Sequence, residues 1–158
     1  MKRNSDSVRS MNLPSKTFGD NKQAFAFACD LNKFMDTSSG IRVAIIEEIG
    51  SRDDRGRSLL NLSVEATKPI TGYAEIDNAV ASSLHEGDLV GVQVVKILKL
   101  KAGMFRKYDL AVCHLVALLE PTFDFAQGWK VKRSISGILD LDDLSTYLQA
   151  KVNERKDS

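Results

Sequence analysis

Lys96, Lys99, Lys101, Arg106 and Lys107 place five cations within twelve residues, and Phe105 and Tyr108 stand among them. Cations at this density neutralise phosphates, and an aromatic face beside them offers a platform on which an unpaired base stacks. Trp129 with Lys130, Lys132 and Arg133 repeats the combination of one aromatic with several cations. Together the two sets predict a surface for single-stranded nucleic acid. Three other readings of these residues stand beside it. Lysines also guard an exposed edge strand against unwanted pairing, an acidic protein satisfies the same charges, and a lone Trp commonly anchors a core.

Other chemistry finds little support. His85 and His114 have no Cys, Asp or Glu at metal-ligand spacing, and no phosphate loop, nucleophile elbow or HExxH pattern occurs. Asp140, Asp142 and Asp143 lack the glycine and distal glutamate of a calcium loop, and they suit the acidic first turn of a helix. Glu47 and Glu48 are adjacent on a strand and so point to opposite faces. Cys29 and Cys113 are far apart among apolar residues and read as buried free thiols. The expectation is a binding protein, not an enzyme, with no metal and no cofactor.

The chain has 158 residues, 43% hydrophobic and 27% charged, which suits a single globular domain with tails. Net charge is +1, but the distribution is uneven. Between residues 41 and 95 nine acids face five bases, a balance of −4, whereas residues 96–107 carry +5. Segregation of this kind makes one surface attractive to phosphate while the molecule stays near neutral. The run LAVCHLVALL is far shorter than the roughly 20 residues of a membrane-spanning helix, and no apolar stretch follows MKRNSDSVRS as in a secretory signal. A cytoplasmic protein with no membrane partner is expected.

Residues 1–21 are polar and aperiodic and read as a disordered basic arm. KQAFAFACDL alternates, with Phe25, Phe27, Cys29 and Leu31 on one side, which suits a strand. A helix capped by Asp20 and Gln23, with Phe27, Leu31 and Phe34 at helical spacing, is the rival. IRVAIIEEI and SLLNLSVEA form a hairpin with apolar faces at Ile41, Val43, Ile45 and at Leu60, Leu62, Val64. That leaves Arg42, Ala44, Ile46 and Glu48, then Leu59, Asn61, Ser63 and Glu65, as the outward positions. KPITG breaks the sheet, and Ile76, Ala79, Val80 and Leu84 then form a helical stripe ended by Gly87. DLVGVQVVKILKL is a strand with Val90, Val92, Val94, Leu98 and Leu100 on one face. YDLAVCHLVALLE is a central strand ended by Pro121, and one more short strand lies around Trp129 to Ile135. The C-terminal helix has a stripe of Leu141, Leu144, Tyr147, Leu148 and Val152, with acids opening it and cations closing it.

The order strand, strand, strand, helix, strand, strand, with LHEGDLVGVQVV at 84–95 joining helix to fourth strand, resembles the OB-fold over residues 22–120. The resemblance implies a mainly β architecture: a five-stranded Greek-key barrel with a helix between its third and fourth strands, here followed by the amphipathic C-terminal helix. Domain limits follow as arm 1–21, barrel 22–137 and helix 138–158. It also implies an oligonucleotide lying over the second and third strands and gripped by the loop LKAGMFRKY. The outward positions just named hold no aromatic and two acids, a departure that shifts the expected contacts to the loop. If residues 21–35 are helical, an α+β arrangement of an N-terminal helix and two β-hairpins replaces the barrel. The alternative function is an assembly subunit that docks through the barrel edge and the C-terminal stripe, to an acidic protein or as a homo-oligomer.

Overall fold

The computed structural model describes residues 14–34, 40–52, 56–101 and 107–157. Its elements are β1 (Ser15–Thr17), α1 (Asn21–Phe34), β2 (Ile41–Arg52), β3 (Arg57–Val64), β4 (Ile70–Asp77), α2 (Asn78–Ala81), β5 (Leu89–Lys101), β6 (Lys107–Asp124), β7 (Gly128–Ser134) and α3 (Leu141–Asp157). The fold is mainly β.

β2 pairs antiparallel with β3, β3 with β4, and β2 with β5. β6 pairs antiparallel with β5 and, through Gly72↔Ala111 and Tyr73↔Val112, parallel with β4. The pairings therefore return on themselves as a ring in the order β2-β3-β4-β6-β5. β1 and β7 attach to the far end of β6. Inside the ring, alternate residues of every strand meet: Ala44, Ile46, Leu60, Leu62, Val64, Ala74, Ile76, Val90, Val92, Ala111, Cys113 and Leu115 form the main core.

The ring closes where the chain is smallest. A Cβ at Gly72 would lie 2.8 Å from Val64 Cγ2 and 3.1 Å from Cys113 Sγ. Gly72→Ala ordinarily favours a strand, but here it is expected to lower stability by about 1–3 kcal/mol through overpacking. The readout is a lower urea midpoint at unchanged m-value. An unchanged midpoint would show that β4 and β6 do not approach so closely.

Two helices cover the outside. α1 lays Ala24 and Ala28 on Val43, Leu89, Ala117 and Leu119. α3 lays Leu144 and Leu148 on Leu59, Leu100, Leu110 and Val112, with Tyr73 and Leu98 beside them.

Several elements differ from the sequence reading. KQAFAFACDL is helical, as its rival reading held: Gln23 N–H donates to Asp20 Oδ1 at 2.8 Å, and the Gln23 side chain accepts from Gly19 N–H at 3.0 Å. The first bond satisfies an amide that a helix start leaves orphaned, and the second ties Gly19, the residue before the cap, to the first turn. The five ring strands consequently do not include this segment. Ile70–Asp77 supplies the missing strand, because Gly72, Ala74 and Ile76 alternate into the core, and only Asn78–Ala81 of the expected helix is helical. Gly87 does not end that helix, which stops at Ala81 with Ser82 as its cap; at φ 90° it makes a left-handed turn before β5 and donates its N–H to Ile46 O.

The faces of β2 are reversed. Ala44 and Ile46 point inward, while Val43 faces outward beneath α1. Along β5 a bulge between Val94 and Lys96 moves the following residues to opposite sides, so Leu98 and Leu100 leave the ring interior and face α3. Pro121 does not end β6, which runs on to Asp124. Pro121 falls where the β6–β7 register is interrupted between Leu119 and Phe123, so no ladder donor is required of it. Of the arm expected over 1–21, residues 1–13 lie outside the described residues. Ser15–Thr17 pairs with Thr122–Asp124.

Candidate nucleic-acid interface

The β5–β6 hairpin continues past the ring to Lys101 and Lys107. Register and alternation give its ribbon two unlike sides. On one side Leu98 pairs with Leu110 and Leu100 with Tyr108, and this side is covered by α3. On the other Ile97 pairs with Ala111, Lys99 with Asp109 and Lys101 with Lys107. Toward the hairpin's tip, from Lys99 and Asp109 outward, the pattern is amphipathic: α3 covers the leucines and the lysines are left to solvent.

Lys99, 82% exposed at its side chain, reaches Asp109 Oδ1 at 3.5 Å. An exposed pair of this kind is worth at most about 1 kcal/mol. Lys101 and Lys107 stand directly opposite each other, a like-charge pairing that disfavours the hairpin. Together Lys99, Leu100, Lys101, Lys107, Tyr108 and Asp109 enclose a shallow depression of about 260 Å³. Tyr108 lies on the α3 side of the ribbon and remains 36% exposed. Phe105 and Arg106 lie outside the described residues.

The second set of cations does not join this surface. Trp129 pairs with Phe123, and Lys107 stands at the opposite end of the 18-residue β6. Trp129 belongs to an aromatic group under α1, with ring centroids 5.3 Å from Phe123, 6.0 Å from Phe18 and 6.1 Å from Phe27. It anchors packing there and is not a free stacking platform. Lys130, Lys132 and Arg133 are exposed on β7, where the Arg133 guanidinium donates to Ser83 Oγ at 2.8 Å. Leu144 and Leu148 are 1% and 2% exposed, and Leu141 and Tyr147 are half-buried against the hairpin. The stripe expected as a docking surface is therefore spent on the chain's own sheet. The Val152 side chain lies outside the described residues.

Two features escaped the sequence reading. Val95 and Ile97 are each 38% exposed and set apolar surface beside the lysines. The bulge that exposes them has no signature in the sequence. A polar groove of about 610 Å³ also opens between Asn21, the turn Ser83–Asp88, the β6 stretch Leu118–Thr122, and Lys132 with Arg133. Its cations are balanced by Asp88 and Glu120.

Elsewhere the ionisable groups serve the fold. The His114 ring lies 3.4 Å from Gln93 Oε1 and 3.2 Å from Gly137 O, tying β6 to the strand beside it and to the segment after β7. Burial pushes the Cys113 thiol up to about 12, so it is not a nucleophile. Cys29 is half-buried, and neither cysteine forms a disulfide. Among the described residues no cluster of His, Cys, Asp and Glu could hold a metal ion, and no helix is long and apolar enough to cross a membrane.

Burial raises the Glu65 carboxyl above the usual glutamate range, against the lowering effects of Arg42 at 3.9 Å and a backbone hydrogen bond at Val43. The folded state therefore holds this proton more tightly than the unfolded chain does. Its contribution to stability is fully present below the ordinary range and is lost as pH rises through the raised value. Wild type is expected to lose stability relative to Glu65→Gln as pH rises from the ordinary glutamate range through the raised value, measured by urea unfolding. A difference that does not change with pH would contradict this.

No protein-family model, curated protein or solved structure matches this chain.

Proposed function

We propose that β2–β6 form an OB-like barrel and that it binds single-stranded nucleic acid through the Lys99, Lys101 and Lys107 side of the β5–β6 hairpin. The strand order β2-β3-β4-β6-β5, with its one parallel pairing and with α2 between β4 and β5, supports the barrel reading. In such a barrel β3 and β4 occupy the places of the second and third strands. Leu59 and Tyr73 of those strands lie under α3, so the usual ligand face is partly filled by the chain itself. The hairpin is the part of the expected interface that stays open.

The observation that carries the reading is the placement of Lys101 opposite Lys107, with Lys99 on the same side and exposed. Without a ligand this arrangement works against the hairpin. A phosphate chain converts it to attraction, and Ile97 on the same side, with Val95 close by in sequence, offers apolar surface on which bases rest.

Three phosphate contacts make affinity for a single strand vary as about the −2 power of salt concentration. Replacing Lys99, Lys101 and Lys107 by glutamine removes that dependence, which at about 50 mM salt is worth on the order of a hundredfold in affinity. Fluorescence anisotropy with a labelled oligonucleotide measures it. Equal affinity of wild type and the triple variant would refute the assignment.

A further inference from the structure

Every strand of the ring has two neighbours, which leaves β1 and β7 as the described strands bounded by β6 alone. β1 has three residues, too few to template another strand. β7 has seven, and Lys130–Ser134 are exposed throughout. An antiparallel strand directs part of its N–H and C=O groups away from its one partner, so the outer side of β7 presents main-chain donors and acceptors that no strand among the described residues pairs. Edge lysines alone are a guard against such pairing. Val131 departs from that pattern, since at 56% it is the most exposed of the large apolar side chains among the described residues. The sequence GWKVKRS holds three cations and no carboxylate. Lys130, Val131 and Lys132 are all exposed, the register with β6 shifts between Arg133 and Val131 so that Lys132 stands opposite no β6 residue, and Arg133 is held by Ser83.

We propose that β7 is a docking edge for an acidic, extended segment of a partner protein, which adds to the sheet as a further antiparallel or parallel strand. Main-chain pairing supplies the binding, carboxylates near the exposed Lys130 and Lys132 supply selection, and an apolar residue covers Val131. The edge lies at the opposite end of β6 from the hairpin, so it operates whether or not the hairpin meets nucleic acid.

The probe is a dye-labelled peptide of about eight residues alternating glutamate with valine, long enough to span β7. Fluorescence anisotropy with the full chain is expected to show binding that weakens at least about tenfold when alternate peptide amides are N-methylated, because methylation removes strand donors and leaves charge intact. Lys130→Glu with Lys132→Glu is expected to lose this peptide and to gain one alternating lysine with valine. The Lys99, Lys101 and Lys107 glutamine variant is expected to bind the glutamate peptide as wild type does, which separates this edge from the hairpin. Undiminished binding of the N-methylated peptide would overturn strand addition, as would no binding up to millimolar peptide. Displacement of the peptide by an oligonucleotide in the hairpin variant would assign the β7 cations to nucleic acid instead.

Discussion

Replacing both Leu144 and Leu148 by alanine is expected to remove about 4–10 kcal/mol, a large fraction of the roughly 5–15 kcal/mol that holds a domain folded. Each leucine is almost fully buried, and together they close a cluster with Leu59, Leu100, Leu110 and Val112 that the ring interior does not share. Each truncation forfeits the transfer of its removed carbons and leaves a cavity that β-strands, held by their ladders, cannot collapse into, about 2–5 kcal/mol apiece. The effect should also be local in its first stage. Leu98 and Leu100 sit beyond the β5 bulge, where α3 is what covers them, so the hairpin should gain amide exchange before the ring does. Urea unfolding of the single and double variants, with hydrogen exchange at residues 96–101 and 107–110, checks both statements. A loss below about 1 kcal/mol for the double variant would mean that the helix does not pack as described.

Arg57→Ala is expected to be the next most damaging change. The guanidinium lies 3.8 Å from Glu75 Oε2, 4.0 Å from Asp140 Oδ2 and 3.9 Å from Asp143 Oδ2, and so joins β3 and β4 to the start of α3. Glu75 is fully buried, and removing the cation leaves its carboxylate beside two further acids. Breaking a buried pair from one side costs about 3–5 kcal/mol. The low end, about 3 kcal/mol, applies here because all three separations exceed hydrogen-bond length and Arg57 itself is partly solvated. Arg57→Lys should recover only part of the loss, since a lysine Nζ falls one bond short of the Nη1 that faces all three carboxylates. Full recovery by lysine would reduce the role to simple charge.

The elements easiest to read were those whose large apolar side chains repeat at one clear period. β3 and α3 are of this kind, and so is the apolar side of the hairpin, whereas β6 showed as a run apolar on both faces whose end Pro121 disguised. β4 was obscured because the strands that close the ring approach so tightly that Gly72 and Ala74 fill the inward positions, and small residues leave almost no hydrophobic signal. Ile76 then coincided with a helical stripe through Val80 and Leu84. α1 was ambiguous for a related reason: its buried face is Ala24 and Ala28, while the more conspicuous Phe25 and Phe27 are only half-buried. Parity failed on β5 because a bulge inserts one residue without any change in composition. Of the candidate site, the lysines were legible as a block. That Trp129 and its cations lie elsewhere depends on β6 continuing past Pro121, which the proline argues against in isolation.

The oligonucleotide salt dependence bears most directly on the hairpin as a phosphate-binding surface. For wild type, the logarithm of the association constant with a labelled single strand should fall against the logarithm of salt with a slope of about −2, and in the Lys99, Lys101 and Lys107 glutamine variant the slope should approach zero. Equal slopes for the two proteins, or no binding by wild type at low salt, would contradict it.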